Sequence, residues 1–317
     1  MIIVTGAAGF VGSNIVRCLN SHGRSDIVAV DSLEDGRKYE NLVELDLLDY
    51  WDVDALERNL STTPYGLPPV SLVVHQGACS DTTEWNGRIM LEKNFEASKR
   101  LFHFCVDHGI RFVYASSAAV YGLEANFEED ARNERPLNVY GYSKLLFDRY
   151  VRRRLPALDS PVVGLRYFNV YGPGEGHKGG MASVAWHLRN QVQETGSVRL
   201  FEGSHGYGPG EQRRDFVHVA DVAAVVRWFA EHGGSSGIYN VGTGRAQSFN
   251  DVADAVLAWH GSGGIEYIPF PEHLKGHYQA FTQADLSRLR RAGCPVSFRD
   301  VATGVHDYMS ALDQAGK

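Results

Sequence analysis

Tyr140 and Lys144 stand four residues apart in the run Tyr140-Gly141-Tyr142-Ser143-Lys144, a spacing that puts both on one face of a helix. A phenol with a pKa near 10 exchanges protons poorly at neutral pH, and drawing it toward 7 takes about 4 kcal/mol. A neighbouring ammonium in a dry site can supply part of that. The run Ser116-Ser117-Ala118-Ala119-Val120-Tyr121-Gly122 lies upstream, directly after a strand-like segment. A hydroxyl there can hold a substrate alcohol against the tyrosine, whereas the plain structural use of the same serines is a strand-end cap. Alone, the Tyr–Lys pair is also what a solvated helix face looks like.

A second constellation gives the first a context. Ile2-Ile3-Val4-Thr5 runs into Gly6-Ala7-Ala8-Gly9-Phe10-Val11-Gly12 and then into a helical pattern. Glycines at a strand-to-helix turn let the backbone approach a pyrophosphate, whose charge then rests on the helix N-terminus. Asp31 closes the second strand-like run, where a carboxylate can bond the adenosine ribose hydroxyls of NAD. Lys38 could instead neutralise the 2′-phosphate of NADP, so the two signals conflict. Asp46-Leu47, after a third strand-like run, is placed at the adenine end, with a plain helix-start aspartate as an equal reading. The positive nicotinamide ring of such a cofactor would further favour the Tyr140 phenolate, and Lys144 could hold the nicotinamide ribose.

Alternating units must carry these groups. The runs Ile2–Val4, Ile27–Val30, Leu72–Val74, Phe112–Ala115 and Val162–Tyr167 alternate with helical periods such as Val11, Ile15, Val16, Leu19. That alternation predicts an α/β fold with a doubly wound parallel sheet. A glycine-rich stretch, residues 172–180, breaks the rhythm, and turn clusters follow at His205–Gly210 and Gly261–Gly264. The expected division is a dinucleotide-binding domain of residues 1–171 and about 216–243, which includes a helix at Asp221–Ala230 and a strand at Gly237–Val241. A smaller C-terminal α/β substrate domain takes residues 172–215 and 244–317.

Composition narrows the function class. The 317 residues carry a net charge of −7 and no basic block, which argues against a nucleic-acid partner. Cys18, Cys79, Cys105 and Cys294 lie far apart with no Cys-x-x-Cys pair, so reduced thiols fit better than a disulfide frame or a metal site. No apolar run approaches the roughly 20 residues of a membrane span. The opening residues resemble a strand rather than a charged leader. These features lead to the expectation of a cytoplasmic protein with no membrane partner.

With glycine turn, acidic residue, serine and Tyr/Lys in this order, the chain resembles the extended short-chain dehydrogenase/reductases, which implies a Rossmann sheet. Ser117, Tyr140 and Lys144 are then the triad, Ser117 preferred to Ser116 because Ala-Ala-Val-Tyr-Gly follows it. Within that superfamily, the chain is similar to the epimerases that invert carbon 6 of an ADP-linked heptose. The segments carrying this likeness are His75-Gln76-Gly77-Ala78-Cys79-Ser80, Phe168-Asn169-Val170-Tyr171-Gly172-Pro173, Glu175-Gly176-His177-Lys178-Gly179, Leu200-Phe201-Glu202-Gly203-Ser204, Arg214-Asp215-Phe216-Val217 and Gln279-Ala280-Phe281-Thr282-Gln283-Ala284-Asp285-Leu286. They span essentially the whole chain.

The resemblance implies reversible redox inversion of an unactivated carbinol with a tightly bound nicotinamide cofactor, one per subunit, NADP preferred to NAD. Such a reaction moves the alcohol proton from either orientation, and Tyr140 and Lys178 are cast as the two acid/base groups; His177 is the alternative carrier beside Lys178. The implied cofactor contacts are Gly6, Gly9, Phe10, Val11, Gly12, Asp31, Ser32, Lys38, Asp46, Leu47, Gln76, Gly77, Ala78, Cys79, Ser80, Asn94, Tyr140, Lys144, Val170 and Lys178. The ADP-sugar would meet Asn169, Gly180, His187, Phe201, Glu202, Gly203, Ser204, Arg214 and Tyr278. Arg214 suits a pyrophosphate through its bidentate fork, or it pairs with Asp215. A homo-oligomer, typically a pentamer, and a place in lipopolysaccharide core synthesis also follow from the likeness.

Three departures stand out. Gly180 replaces a serine, Val53 replaces a lysine near the adenosine end, and His205–Gln212 is longer than usual, which predicts a mobile approach to Arg214. Rival readings are a UDP-hexose 4-epimerase, a net dehydrogenase and a non-catalytic dinucleotide sensor. A 4,6-dehydratase is disfavoured because Ala118-Ala119 stands where an Asp-Glu pair would be needed.

Overall fold

Runs of β-branched residues without polar alternation form strands covered on both faces. In the computed structural model of the chain, which describes residues 1–62, 66–272 and 278–316, they do so. The strands are β1 (Ile2–Thr5), β2 (Ile27–Asp31), β3 (Asp49–Asp52), β4 (Leu72–His75), β5 (Arg111–Ser117), β6 (Val162–Tyr167), β7 (Asn169–Tyr171), β8 (Ser197–Phe201), β9 (Arg213–Arg214), β10 (Phe216–His218), β11 (Gly237–Val241), β12 (Gln247–Ser248) and β13 (Gly264–Ile268). The α-helices are α1 (Phe10–Ser21), α2 (Leu56–Thr62), α3 (Gly87–Leu91), α4 (Ala97–Asp107), α5 (Val139–Arg152), α6 (Val184–Thr195), α7 (Val219–His232), α8 (Phe249–His260), α9 (Ser287–Arg291) and α10 (Val301–Gln314).

Seven strands form one sheet in the order β11-β6-β5-β4-β1-β2-β3, and every pairing in it is parallel. One face buries Ile15, Val16 and Leu19 of α1 with Val222, Val226 and Phe229 of α7. The other buries Leu101, Phe102 and Cys105 of α4 with Phe147 and Val151 of α5. Phe102 is 1% exposed, so truncating it to alanine should cost about 3–5 kcal/mol. Strand order reverses between β1 and β4, and at such a point the two connections diverge and leave a crevice beyond the strand ends.

β11, expected from Gly237–Val241, pairs with β6 at the edge of this sheet. A separate core gathers Leu188 and Val192 of α6, Val252 and Val256 of α8, and Val305, Tyr308 and Met309 of α10 around Val198, Leu200 and Phe216. Short strand pairs accompany it: β7 with β10, β8 with β13, β9 with β12.

The third strand corrects one expectation. It begins at Asp49, after Asp46-Leu47 rather than before, because Leu42–Leu45 closes a turn through the Leu45 N–H to Leu42 carbonyl bond. Asp46 binds the side chain of Asn20 through its backbone, and Leu48 N–H bonds the carbonyl of Ile27, the first residue of β2. Asp46 and Leu47 therefore sit at the end of the sheet away from the crevice and cannot reach an adenine there. Asp52 and Val53, both exposed, hold the crevice end of β3 instead.

Candidate active site

The glycine turn is built by backbone contact. Gly6 has φ +67, and a Cβ on it would lie 2.7 Å from Gly77 N; one on Gly12 would lie 2.1 Å from the Gly6 carbonyl. Only hydrogen fits at either place. Helix α1 starts at N-cap Gly9 with no side-chain cap and no acidic residue in its first turn. Its first N–H groups, with Phe10 and Val11 among them, thus remain available to an anion. Across the crevice, Gln76 accepts from the Tyr167 hydroxyl at 3.0 Å, while its buried amide nitrogen has no partner among the described residues. A glycine cradle, an uncapped helix and a buried, unpaired donor fit a dinucleotide.

Asp31 and Lys38, read as competing signals, form one ion pair at 2.6 Å. The Asp31 carboxylate also takes the N–H groups of Ala8 and Ser32, each at 2.8 Å, which fixes it to the turn. The loop after β4 is held as firmly. Gly77 N–H donates to Thr5 Oγ1 at 3.1 Å, and Asn94 brackets Cys79 through its N–H and carbonyl at 2.8 and 2.9 Å. Asn94 also donates to Ser143 Oγ at 3.0 Å, so its side chain ties the cofactor loop to α5. Ala78 and Ser80 stand exposed beside it.

Behind that loop lies a chain of hydrogen bonds that sequence patterning missed. His75 Nδ1 meets Thr5 Oγ1 at 2.6 Å and its Nε2 meets Ser98 Oγ at 2.9 Å. Burial, with the nearby Lys144, drives His75 down to about 3, so the ring is neutral. Since Ser98 donates to the Asn94 carbonyl, Nε2 carries the proton and Nδ1 accepts. A lone histidine inside an apolar strand gave no sign of this.

The triad comes together. Ser117 ends β5 and accepts the Ala119 N–H at 3.1 Å, so it caps the strand end, and its hydroxyl is close enough to Tyr140 to favour the charged phenol. Ser116 is spent on buried Asp148 at 2.9 Å, which separates the two serines. Asn138 caps α5 by accepting from Gly141 N–H, placing Tyr140 in its first turn. Lys144 is buried and donates to the Ala115 carbonyl at 3.0 Å. Burial brings its ammonium down to about 8, against the pull of Asp148 and Cys79. The expected lowering of Tyr140 by Lys144 is not what this geometry gives: burial pushes the phenol up, and the opposing pull comes from Ser117.

The glycine-rich stretch is strapped across the glycine turn. Asn14 donates to the carbonyls of Phe10 and Pro173 at 2.9 and 2.7 Å. Asn41 does the same for Ala8 and Gly174, both at 3.0 Å. Lys178 follows in a short helical turn, its ammonium 5.5 Å from the centre of the Phe10 ring and lowered by burial against the pull of Glu175. It therefore lies on the dinucleotide side of the crevice, and no hydrogen bond joins it to Tyr140 among the described residues. His177, half-buried beside it, is lowered by burial and by Lys38.

Of the expected sugar-side residues, Arg214 is the most telling. It is 6% exposed, and no carboxylate pairs with it among the described residues. Its guanidinium lies 4.9 Å from the Tyr278 ring and is lowered by burial against the pull of that phenol. Pairing with Asp215 is overturned, because Asp215 takes the N–H groups of Thr243, Gly244 and Ala284. Phe201 meets Phe270, which meets Tyr278, at 5.5 and 5.1 Å. Glu202 and Gly203 are exposed nearby, and Gln212 donates to the Glu202 carbonyl and Ser204 Oγ, both at 3.0 Å.

The same Gln212, with the Gly210 N–H to Phe201 carbonyl bond, anchors the long loop before Arg214, which is stitched down rather than mobile. Asn169 and Val170 lie on β7, with Asn169 exposed, and His187 lies on α6 half-buried. Gly180 is exposed with open space about it.

A seven-stranded parallel sheet with a glycine turn at its switch point and a Ser–Tyr–Lys set beside it defines a dinucleotide-dependent enzyme of the short-chain dehydrogenase/reductase type. The chain belongs to the NAD dependent epimerase/dehydratase family, which matches residues 2–242. It is 59% identical over 315 residues, 99% of this chain and 98% of its relative, to an ADP-L-glycero-D-manno-heptose-6-epimerase of Alkalilimnicola ehrlichii. Among solved structures it is similar to the enzyme of that name from Helicobacter pylori, with 30% identity, TM-score 0.83, and 98% and 96% of the two chains covered. It is also similar to a Thermus thermophilus UDP-glucose 4-epimerase in complex with NAD, at 26% identity, TM-score 0.80, and 99% of each chain.

Proposed function

We propose that the protein interconverts ADP-D-glycero-D-manno-heptose and ADP-L-glycero-D-manno-heptose at carbon 6, as a cytoplasmic homo-oligomer supplying lipopolysaccharide core synthesis. The observation that carries the reading is the 59% identity across 99% of the chain to an enzyme of that name. The carboxylate-free Arg214 beside Tyr278 supports a substrate that brings its own negative charge, such as a sugar diphosphate.

A nicotinamide cofactor held by the glycine turn, Asp31 and Lys38 would supply reversible hydride transfer at carbon 6. Tyr140 exchanges the alcohol proton, held to the substrate by Ser117, and Lys144 keeps the site cationic. Lys178 serves the proton in the other orientation of the sugar. Its ammonium lies 5.5 Å from the Phe10 ring centre, at the glycine-turn side of the crevice. Residues 1–171 and about 216–243 hold the cofactor, and residues 172–215 and 244–317 the sugar. The cofactor is NADP, supported by Lys38 beside Asp31; a 2′-phosphate would share that ammonium with the carboxylate.

The test is incubation of the purified protein with each ADP-heptose and, separately, with UDP-glucose, followed by resolution of the epimers. Inversion at carbon 6 of the heptose alone is expected. Inversion of the hexose would replace this reading with a 4-epimerase, accumulation of reduced cofactor with a dehydrogenase, and cofactor binding without turnover with a sensor. Light scattering reads the oligomer, and NADP and NAD dissociation constants with and without Lys38→Ala read the cofactor.

A further inference from the structure

We propose that Asp148 is a positioning residue for the reaction: its carboxylate locks the strand end that carries Ser117 to the helix that carries Tyr140 and Lys144, and places a buried negative charge one helical turn from Lys144. The inference rests on the oxidation–reduction reading above.

Four groups converge on Asp148. Tyr114 hydroxyl donates to one oxygen at 3.0 Å, and Ser116 hydroxyl and Arg166 Nε donate to the other, each at 2.9 Å. Ser116 adjoins Ser117, and Lys144 is the fourth group, acting through its charge while its ammonium bonds the Ala115 carbonyl. Asp148 and Arg166 are both fully buried. Arg166 passes the network on to Glu134, also buried and shared with Arg152.

Buried ion pairs of this kind seldom add net stability, because desolvating both charges offsets their attraction. A well-packed apolar set would hold β5 to α5 as well. What apolar residues could not do is fix two catalytic elements through directed bonds and supply a charge. Burial depresses Lys144 to about 8, and Asp148 opposes that depression. The other groups near Lys144 are Cys79 on the loop after β4 and His75 on β4, which is neutral, with Tyr140 one turn before it on α5.

The experiment is Asp148→Asn, which keeps the shape and removes the charge. The chain has seven lysines, so carbon-13 labelling at lysine Cε resolves Lys144 without any substrate. Its titration midpoint is expected to fall by about one unit, with the alkaline limb of kcat moving by the same amount and KM unchanged. A role confined to packing would lower the melting temperature and leave the midpoint where it was, and that result would overturn the proposal. Should Asp148→Asn fail to fold because Arg166 loses its partner, the pair of variants Arg166→Gln and Asp148→Asn/Arg166→Gln isolates the carboxylate: the midpoint of the double variant should lie below that of Arg166→Gln, and equal midpoints would overturn the proposal. If the wild type fails to epimerise, the titration still decides the placement of charge, and only the reading of the reaction falls.

Discussion

The two sides of the crevice, proposed above to take the cofactor and the sugar, are made differently. On the cofactor side the surface offered is mostly backbone: Gly6 and Gly12 leave no room for a Cβ, and Asp31, Asn41 and Asn94 spend their side chains holding loops. On the sugar side, Arg214, Tyr278 and Phe201 reach from separate segments, and the guanidinium is buried with no carboxylate paired to it among the described residues. The first region leaves unpaired donors, the Gln76 amide and the α1 N-terminus, but its charged side chain Asp31 is already paired. The second holds a charge that a ligand must answer. A scaffold common to many reactions can thus stay fixed while the sugar it accepts changes.

Breaking the chemical group should have the largest effect. Tyr140→Phe is expected to lower kcat by about 10²–10⁴-fold with dinucleotide binding intact, read by epimer resolution and fluorescence titration; weakened binding of comparable size would mean the tyrosine belongs to the cofactor side. Lys178→Ala should suppress epimerisation by about 10²-fold. Because its ammonium lies over Phe10, a modest loss of dinucleotide affinity should accompany this, and wild-type turnover would remove Lys178 from the mechanism.

Arg214→Met should raise KM for the ADP-sugar by about tenfold to a hundredfold, as losing a charge-assisted bond does, with kcat nearly unchanged. An equal fall in kcat would show that the sugar side takes part in the chemistry. Stability sharpens the contrast through pH. Burial holds His75 at about 3 and His218 at about 4 in the folded chain, below the 6.5 of a free histidine. The folded state therefore disfavours their protons, and the stability this gives is full above about 6.5 and lost as pH falls, at about 1.4 kcal/mol per pH unit for each histidine. Urea midpoints at pH 7, 6 and 5 should fall more steeply for the wild type than for His218→Gln; parallel lines would refute it. The smallest change is Gly180→Ser, which enters open space and should lower KM by no more than about threefold if a hydroxyl contact is restored.

The same division decided what the sequence could reveal. β1, β2, β4, β6 and β11 were legible because buried parallel strands read as unbroken apolar runs, and the glycine turn because its geometry admits one residue type. β3 was misplaced: Asp49-Tyr50-Trp51-Asp52 is polar at both ends, with Trp51 the one buried residue, while the leucine-rich turn before it imitates a strand. The spacing of Tyr140 and Lys144 was weak alone, and Ser117 was separated from Ser116 only by the family resemblance. The relay through His75 and the Arg166–Asp148–Glu134 network gave no signal, since each joins residues far apart in the chain, and a buried polar residue looks the same in one dimension whether satisfied or functional. Anchoring of the long loop was equally hidden, since Gln212 works through carbonyls that carry no residue identity.

One feature of the strap reaches beyond cofactor binding. A single NH₂ group on Asn14 serves two carbonyls from segments far apart in the chain, and Asn41 repeats the arrangement on the carbonyls of Ala8 and Gly174. Hydrolysis of either amide to a carboxylate would replace a shared donor by an oxygen facing two lone-pair-rich neighbours at once. Ageing chemistry at those two side chains would therefore pry the strap and the glycine turn apart together, with no peptide bond cut.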